Sequence, residues 1–147
     1  MLNINLINKE LKQVNNLIRK DIIKERTISK LYKYIFKSSG KQLRAKLCLI
    51  SSSYNKKISL RRYKLAAVIE LLHTATLVHD DVVDESEIRR GTKSVNNIWS
   101  NAHGVLIGDY IYSKAFMLMV ELGNPKILDE LSKATNDISK GELIQLD

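Results

Sequence analysis

The chain has 147 residues, a formal net charge of +8 and 44% apolar residues. This length allows one domain with a sizeable core, and the apolar content argues against intrinsic disorder. The longest apolar runs are too short to span a bilayer, and the first residues lack the order of a signal peptide. A single cysteine, Cys48, lies within an apolar run, as is typical of a protein from a reducing compartment, so we predict a cytoplasmic location.

The positive charge raises the question of a nucleic-acid partner. The lysines are spread over many segments rather than gathered into one stripe, which favours a solvated basic surface. A basic helical module that binds nucleic acid would explain the charge but would leave the clustered aspartates of the chain unexplained. We therefore predict no nucleic-acid partner.

Apolar residues recur at spacings of three and four along most of the chain, which is typical of amphipathic helices. The segment Ser38-Ser39-Gly40 breaks this pattern. Ser59 and Asn124 are suitable N-caps, Pro125 suits a first helical position, and Gly123 suits a helix end. We predict an all-α fold with six helices: Ile4–Lys24, Ser29–Phe36, Lys41–Tyr54, Leu60–Asp84, Ala102–Leu122, and one that starts at Pro125 and still continues at Asp147.

Two further expectations follow from the same pattern. The segment from Arg89 to Asn97 has weak periodicity and is predicted to be a loop. The last helix meets no stop signal before Asp147. We therefore expect residues 1–147 to form a single helical domain that is an incomplete N-terminal part of a longer protein.

The most informative part of the sequence is the end of the fourth predicted helix. Asp80 and Asp84 are four residues apart and share a helix face. Two carboxylates at this spacing can hold Mg²⁺, which usually takes its other ligands from water and substrate phosphates. Arg89 and Arg90 follow, and their planar guanidinium groups suit phosphate oxygens. These residues predict a diphosphate site.

The same helix face continues below the aspartates. His73 lies two turns before Asp80, and Thr76 and Leu77 lie between them. A polar rim above a small or apolar wall suits a ligand with a diphosphate head and a hydrocarbon tail. Upstream, Lys41 and Arg44 follow a glycine and are three residues apart, so both can reach a second anion.

These residues also have less specific explanations. The arginines could simply neutralise an acidic cluster at a helix end, although negative charge there opposes the helix dipole. A lone histidine such as His73 is often a core residue. His79 and Asp80 could be the metal pair of an HD-type phosphohydrolase, for which His103 is the remaining candidate histidine besides His73.

The chain carries five motifs in the order Gly40-Lys41-x-x-Arg44, His73 before Asp80-Asp81-x-x-Asp84, Arg89-Arg90-Gly91, Gly108-Asp109 and Gly141-Glu142-x-x-Gln145. As a set they resemble the trans-polyprenyl diphosphate synthases (trans-prenyltransferases), and the phrase around the aspartates is closest to octaprenyl and other long-chain synthases. The resemblance runs from Gly40 to Asp147. It implies an antiparallel helical bundle of the isoprenoid synthase type, of which this chain is the N-terminal half, around a deep cavity. It also implies a homodimer.

The resemblance also implies a reaction and a role for each matched residue. The family joins isopentenyl diphosphate head-to-tail to an allylic diphosphate such as farnesyl diphosphate, with Mg²⁺. Asp80 and Asp84 are implied to be the catalytic metal ligands, with Arg89 on the allylic diphosphate and Asp81 in support. The residues implied to bind isopentenyl diphosphate are Lys41, Arg44, His73 and Arg90.

Chain length is implied by the two residues at the fifth and fourth positions before the first aspartate. Bulk at these positions stops a growing prenyl chain in this family. They are Ala75 and Thr76 here, and both are small. The resemblance therefore implies a product longer than fifteen carbons.

The chain also departs from the family pattern. Ser39, Gln42 and Ala45 stand where that pattern has glycine, arginine and proline. The second aspartate-rich motif of the family does not occur in the 147 residues, so we expect this stretch alone not to be fully active. A non-catalytic partner subunit of a heteromeric prenyl synthase is the alternative function.

Overall fold

The structure, a computed structural model, describes residues 3–37, 40–54 and 59–147. The predicted break at Ser38 and Ser39 lies outside the described residues. The all-α prediction is confirmed, since two-residue strands are the only sheet within the described ranges. The elements are α1 (Ile4–Arg19), α2 (Arg26–Ile35), α3 (Leu43–Ser52), α4 (Leu60–Val83), β1 (Ile88–Arg89), β2 (Thr92–Lys93), α5 (Val95–Ile98), α6 (Asn101–Leu122) and α7 (Pro125–Leu146).

Helix α4 forms the centre of the bundle. It packs against α1 and α3 on one side and against α6 on the other. Three alanines of α4 are fully buried, and small side chains at helix contacts allow the neighbouring helix axes to approach closely. These alanines are Ala66, Ala67 and Ala75. The largest of the fully buried side chains around them are Val14, Tyr32, Leu49, Val68, Leu71, Ile111 and Leu122.

Helices α4, α6 and α7 lie within one residue of their predicted bounds because local caps mark their ends. The Ser59 hydroxyl accepts a hydrogen bond from the Arg61 N–H at 3.2 Å and starts α4. Gly123 ends α6 in a left-handed conformation, with φ of 60°. Asn124 caps α7 through its side-chain oxygen, as predicted.

The bounds of the first three predicted helices were less accurate. Helix α1 ends five residues before the predicted Lys24 because Asp21 takes a left-handed conformation, with φ of 54°. Helix α2 begins three residues before the predicted Ser29 because the Glu25 carboxylate accepts the Ile28 N–H at 2.8 Å. The third helix is two residues shorter at each end than predicted.

The prediction of a loop from Arg89 to Asn97 was wrong. Strands β1 and β2 pair antiparallel, with Arg89 opposite Thr92, and α5 follows them. The Tyr34 hydroxyl donates a hydrogen bond to the Lys93 carbonyl at 2.6 Å, which attaches the hairpin to α2. Strands of two residues are too short to show the alternation by which a strand is recognised in a sequence.

No helix in the described ranges is both long and apolar enough to cross a membrane.

Cys48 is half-buried on α3, and burial raises the pKa of its thiol. The thiol is therefore protonated near neutral pH and weakly nucleophilic.

A buried ion pair connects α1 with α4. The Arg62 guanidinium donates to the Glu10 carboxylate at 2.7 Å, and both side chains are less than a tenth exposed. Arg62 also donates to the Leu49 carbonyl at 2.7 Å and to the Ser52 hydroxyl at 2.9 Å on α3. One guanidinium thus holds three helices, and its charge is matched inside the bundle.

Substitution of Glu10 by alanine should lower the free energy of unfolding by about 3–5 kcal/mol, since it leaves a buried guanidinium without its counter-charge. Urea unfolding followed by circular dichroism measures the loss. The control is Glu121→Ala, which breaks an exposed 3.1 Å pair with Lys64 and should cost less than about 1 kcal/mol. Equal losses in the two variants would contradict this account of Glu10.

Candidate active site

The carboxylates of Asp80 and Asp84 lie at the C-terminal end of α4. The Asp84 N–H donates to the Asp80 carbonyl at 2.8 Å, so the helical turn continues through Asp84 although the helix ends one residue earlier. The two side chains are therefore one turn apart on the same face, as the spacing predicted. Asp80 is half-buried and Asp84 is exposed.

A third carboxyl group joins them from α7. Glu142 shares a hydrogen bond with Asp80. Burial, followed by the negative charge of Asp80, raises the pKa of Glu142 above its usual value. Glu142 belongs to the Gly141-Glu142-x-x-Gln145 motif, but no spacing along the sequence predicts that it lies beside Asp80.

The chemistry of these carboxyls suits a magnesium ion, although the three do not enclose one. Asp80, Asp84 and Glu142 offer only hard oxygen ligands, which Mg²⁺ prefers. A cation would also offset the negative charge of Asp80, which adds to burial in raising the pKa of Glu142. Over the described ranges, no three acidic, histidine or cysteine side chains are placed so that they could hold a metal ion by themselves. Magnesium usually takes its remaining ligands from water and substrate phosphates.

Asp81 points to the opposite side of the helix end and is buried, with 4% of its surface exposed. Arg89 of β1 donates side-on to the Asp81 carboxylate, with Nη2 at 2.6 Å and Nε at 3.1 Å from Oδ1. The Asp81 carbonyl also accepts the Asn96 amide at 3.2 Å. Arg89 therefore neutralises Asp81, in agreement with the simpler explanation that the arginines neutralise an acidic cluster at the helix end. The pairing uses Nε and Nη2 of Arg89 but not Nη1.

The turn between the strands carries Arg90. Arg90 and Gly91 both have positive φ, at 51° and 76°, which a two-residue turn of type I′ requires. Asparagine is the usual residue at the first of these positions, and an arginine there is strained. Strained backbone conformations cluster at functional sites, which makes Arg90 a candidate site residue.

The Arg90 side chain reaches back to the turn before α3. A Cβ atom added to Gly40 would lie 2.5 Å from Nη1 of Arg90, so the guanidinium rests directly on this glycine. Gly40 itself has φ of 58°. A side chain at position 40 would both strain the backbone and displace Arg90. Lys41 follows Gly40 and is exposed.

Arg44 and His73 complete this basic cluster. Nη1 of Arg44 lies 3.1 Å from Nε2 of His73. Because arginine only donates, Nε2 is the acceptor and the imidazole is neutral. Burial lowers the pKa of His73, and the charges of Arg44, Arg90 and Arg89 lower it further. The structure thus brings together His73, Arg44 and Arg90, with Lys41 beside the glycine that Arg90 covers.

The imidazole of His79 is hydrogen-bonded to α6. Its Nε2 lies 3.0 Å from the Val105 carbonyl and 3.3 Å from the Asp109 carboxylate, both on α6. A Cβ atom on Gly108 would lie 2.2 Å from the same Nε2. The Gly108-Asp109 motif therefore makes room for His79 between α4 and α6. This position disfavours the metal pair of a phosphohydrolase.

Asp80, Asp84 and Glu142 together form an acidic rim. A cavity of about 520 Å³ lies between α4, α6 and α7 beside this rim. Thr76, Tyr112 and Phe116 are among the residues that line it, and Glu142 lines its acidic end. The Thr76 hydroxyl is 2.9 Å from the Tyr112 hydroxyl. Ala75 is fully buried and is not among the lining residues. The two chain-length candidates thus differ in position, since only Thr76 faces the cavity.

The chain has clear relatives among known proteins. A family model described as polyprenyl synthetase matches residues 25–147. All-trans-nonaprenyl-diphosphate synthase (geranyl-diphosphate specific) of Rhodobacter capsulatus is 45% identical over 115 residues, which are 78% of this chain and 35% of that protein. Octaprenyl diphosphate synthase of Escherichia coli (strain K12) is 43% identical over 119 residues, or 81% of this chain and 37% of that protein.

The fold has close neighbours among solved structures. The polyprenyl synthase from Caulobacter crescentus CB15, solved in complex with calcium and isoprenyl diphosphate, matches with a TM-score of 0.91 and 37% identity. The match covers 97% of this chain and 44% of that one, so the chain spans less than half the length of these relatives. The resemblance seen in the sequence and the isoprenoid synthase type of bundle are confirmed, and the chain belongs to the polyprenyl synthetase family.

Proposed function

We propose that the protein, when complete, extends an all-trans polyprenyl chain. It joins isopentenyl diphosphate head-to-tail to an allylic diphosphate such as farnesyl diphosphate, in a reaction that depends on Mg²⁺. The observation that carries this proposal is the α4 face on which an acidic rim and a basic cluster meet beside a cavity. The names of the relatives, which make octaprenyl and nonaprenyl diphosphates, support it.

The acidic rim serves the allylic substrate. Asp80 and Asp84 would hold Mg²⁺, and the bound ion would stabilise the negative charge that develops on the leaving diphosphate. The neighbour solved with calcium and isoprenyl diphosphate supports the proposal that a divalent ion takes part. Arg89 contacts the same diphosphate through Nη1, because its Nε and Nη2 bind Asp81.

The basic cluster serves isopentenyl diphosphate. Lys41, Arg44 and Arg90 bind its phosphate oxygens, and His73 contributes a hydrogen bond. Clamping both diphosphates brings the reacting carbons together. As the allylic C1–O bond breaks, the isopentenyl double bond forms a new C–C bond to C1, and the resulting cation loses a proton. The walls of the cavity must exclude water, which would otherwise capture the cation.

The cavity serves the growing chain. Thr76 is small and faces this space, and Ala75 is packed behind it. No bulky side chain therefore stands at either of these positions, which supports a product longer than fifteen carbons. A homodimer and a cytoplasmic location remain predictions from the sequence.

The first test is the Mg²⁺ dependence of allylic binding. Calorimetry on this chain should show that Mg²⁺ tightens binding of farnesyl diphosphate by at least about tenfold, since the ion bridges carboxylates and phosphates. Asp80→Asn should abolish that gain. The control Asp137→Asn alters an exposed carboxylate on α7 and should retain it. If the wild-type chain bound farnesyl diphosphate with the same affinity with and without Mg²⁺, the proposal would be contradicted.

The second test uses the pH dependence of isopentenyl diphosphate binding. The pKa of His73 is lowered in the free protein by burial and by Arg44, Arg90 and Arg89, while Asp80 opposes them. A bound diphosphate favours the imidazolium and raises this pKa, so binding takes up a proton. The affinity for isopentenyl diphosphate should therefore rise as the pH falls through the pKa that His73 has in the complex. It should level off once the pH is below the pKa that His73 has in the free protein.

The matched variant for this test is His73→Gln, which keeps a polar side chain but does not titrate near neutral pH. Dissociation constants measured from about pH 5 to pH 8 separate the histidine from the substrate, whose own protonation affects both proteins equally. The variant should lose part of the pH dependence. If the dissociation constant changed with pH in the same way for both proteins, His73 would be excluded from the diphosphate site.

The third test concerns chain length in the complete protein. Thr76→Phe places a ring in the cavity and should shorten the main product by one or more five-carbon units. Ala75→Phe is also expected to shorten it, as the resemblance implies, but the ring must first displace the core packing around this buried alanine, at a cost of about 1–3 kcal/mol. Products are compared by chromatography, and Ser113→Ala, a small change at the same cavity, is the control. Unchanged products from both phenylalanine variants would refute the cavity assignment.

A further inference from the structure

A contact between α1 and the turn before α3 stands out because it joins residues far apart in sequence. The Gln42 amide donates from Nε2 to Oδ1 of Asn15 at 2.6 Å. The Asn15 amide donates back to Oε1 of Gln42 at 3.3 Å. Both side chains are half-buried, and each satisfies one donor and one acceptor of the other.

The backbone at Gln42 explains why such a contact is needed. Gln42 takes a left-handed conformation, with φ of 46° and ψ of 40°, and its side chain makes no cap bond to α3. This conformation is unfavourable for a residue with a Cβ atom. A strained residue persists where its surroundings hold it, and the amide pair with Asn15 does so here.

The other end of this turn is held from α4. The Ala45 N–H donates to Oε1 of Glu70 at 3.0 Å, and Glu70 is buried. A proline at position 45, which the family pattern has, would lack this N–H. Lys41 and Arg44 thus lie on a short segment anchored on both sides, by Asn15 near its middle and by Glu70 at its end.

We propose that Asn15 is a positioning residue for the isopentenyl diphosphate site, which it serves through Gln42 by holding the Gly40–Arg44 turn in place. This inference rests on the proposed function. In this chain the amide pair holds the turn at position 42, where the family pattern has an arginine. Helix α1 thereby supports the site although it does not contact the substrate.

The test compares Asn15→Ala with Asn16→Ala, which removes the exposed asparagine next to it on α1. Two amides report on the turn by hydrogen exchange: Ala45, which bonds to Glu70, and Lys46, which bonds to the Gln42 carbonyl. In Asn15→Ala they should exchange about fivefold faster than in the wild type, in keeping with the loss of a hydrogen bond. Amides in the middle of α6 should not change.

Binding provides the second readout. Asn15→Ala should weaken isopentenyl diphosphate binding by roughly fivefold and leave Mg²⁺-dependent binding of farnesyl diphosphate unchanged. The double variant N15D/Q42R replaces the amide pair by a carboxylate and a guanidinium, which form a strong bidentate pair. It should restore both the slow exchange and the affinity, whereas Asn16→Ala should behave as the wild type.

The two hypotheses fail in different ways. If the wild-type chain does not bind isopentenyl diphosphate, the proposed function is wrong, and the exchange data still decide whether Asn15 holds the turn. Unchanged exchange at Ala45 and Lys46 in Asn15→Ala would overturn the inference. Uniformly faster exchange throughout the protein would also overturn it, because it would show a general loss of stability.

Discussion

The ion pair between Asp81 and Arg89 is the contact on which the geometry of the site depends. A buried carboxylate at the end of α4 is unfavourable without a partner, and Arg89 supplies one with two nitrogens. To reach Asp81, the chain must turn back along the helix immediately after it. That return forms β1, and the tight turn after it places Arg90 over Gly40. The pair therefore determines where the basic cluster can form.

The positive-φ residues show how the chain accommodates this arrangement. Arg90 and Gln42 both take conformations that are unfavourable for residues with a Cβ atom. They lie on the two turns that meet at Gly40, where the absence of a side chain leaves room for the guanidinium. Two of the four non-glycine residues with positive φ in the described ranges thus lie beside the basic cluster, and the other two, Asp21 and Glu85, follow the ends of α1 and α4. Strain at the two turns beside the cluster is expected where side-chain placement for a ligand outweighs local backbone preference.

The sequence alone predicted those parts of the fold that depend on neighbouring residues. Helix α4 and the rim of Asp80 and Asp84 follow from caps and from a spacing of four. The hairpin was missed because an Arg-Gly turn lacks the asparagine that marks type I′ turns. The amide pair of Asn15 and Gln42 could not be predicted, since nothing local relates residues that meet only after α1, α3 and α4 have packed. The same holds for the approach of Glu142 to Asp80.

The charges around the end of α4 lie in two separate clusters of like sign. Arg44 contacts His73, whose pKa is lowered by burial and then by the charge of Arg44. Asp80 contacts Glu142, whose pKa is raised by burial and then by the charge of Asp80. Like charges close together are unfavourable unless an opposite charge offsets them. Under the proposed function, a cation would offset the acidic cluster and a diphosphate the basic one, so both ligands would bind the folded chain preferentially and stabilise it.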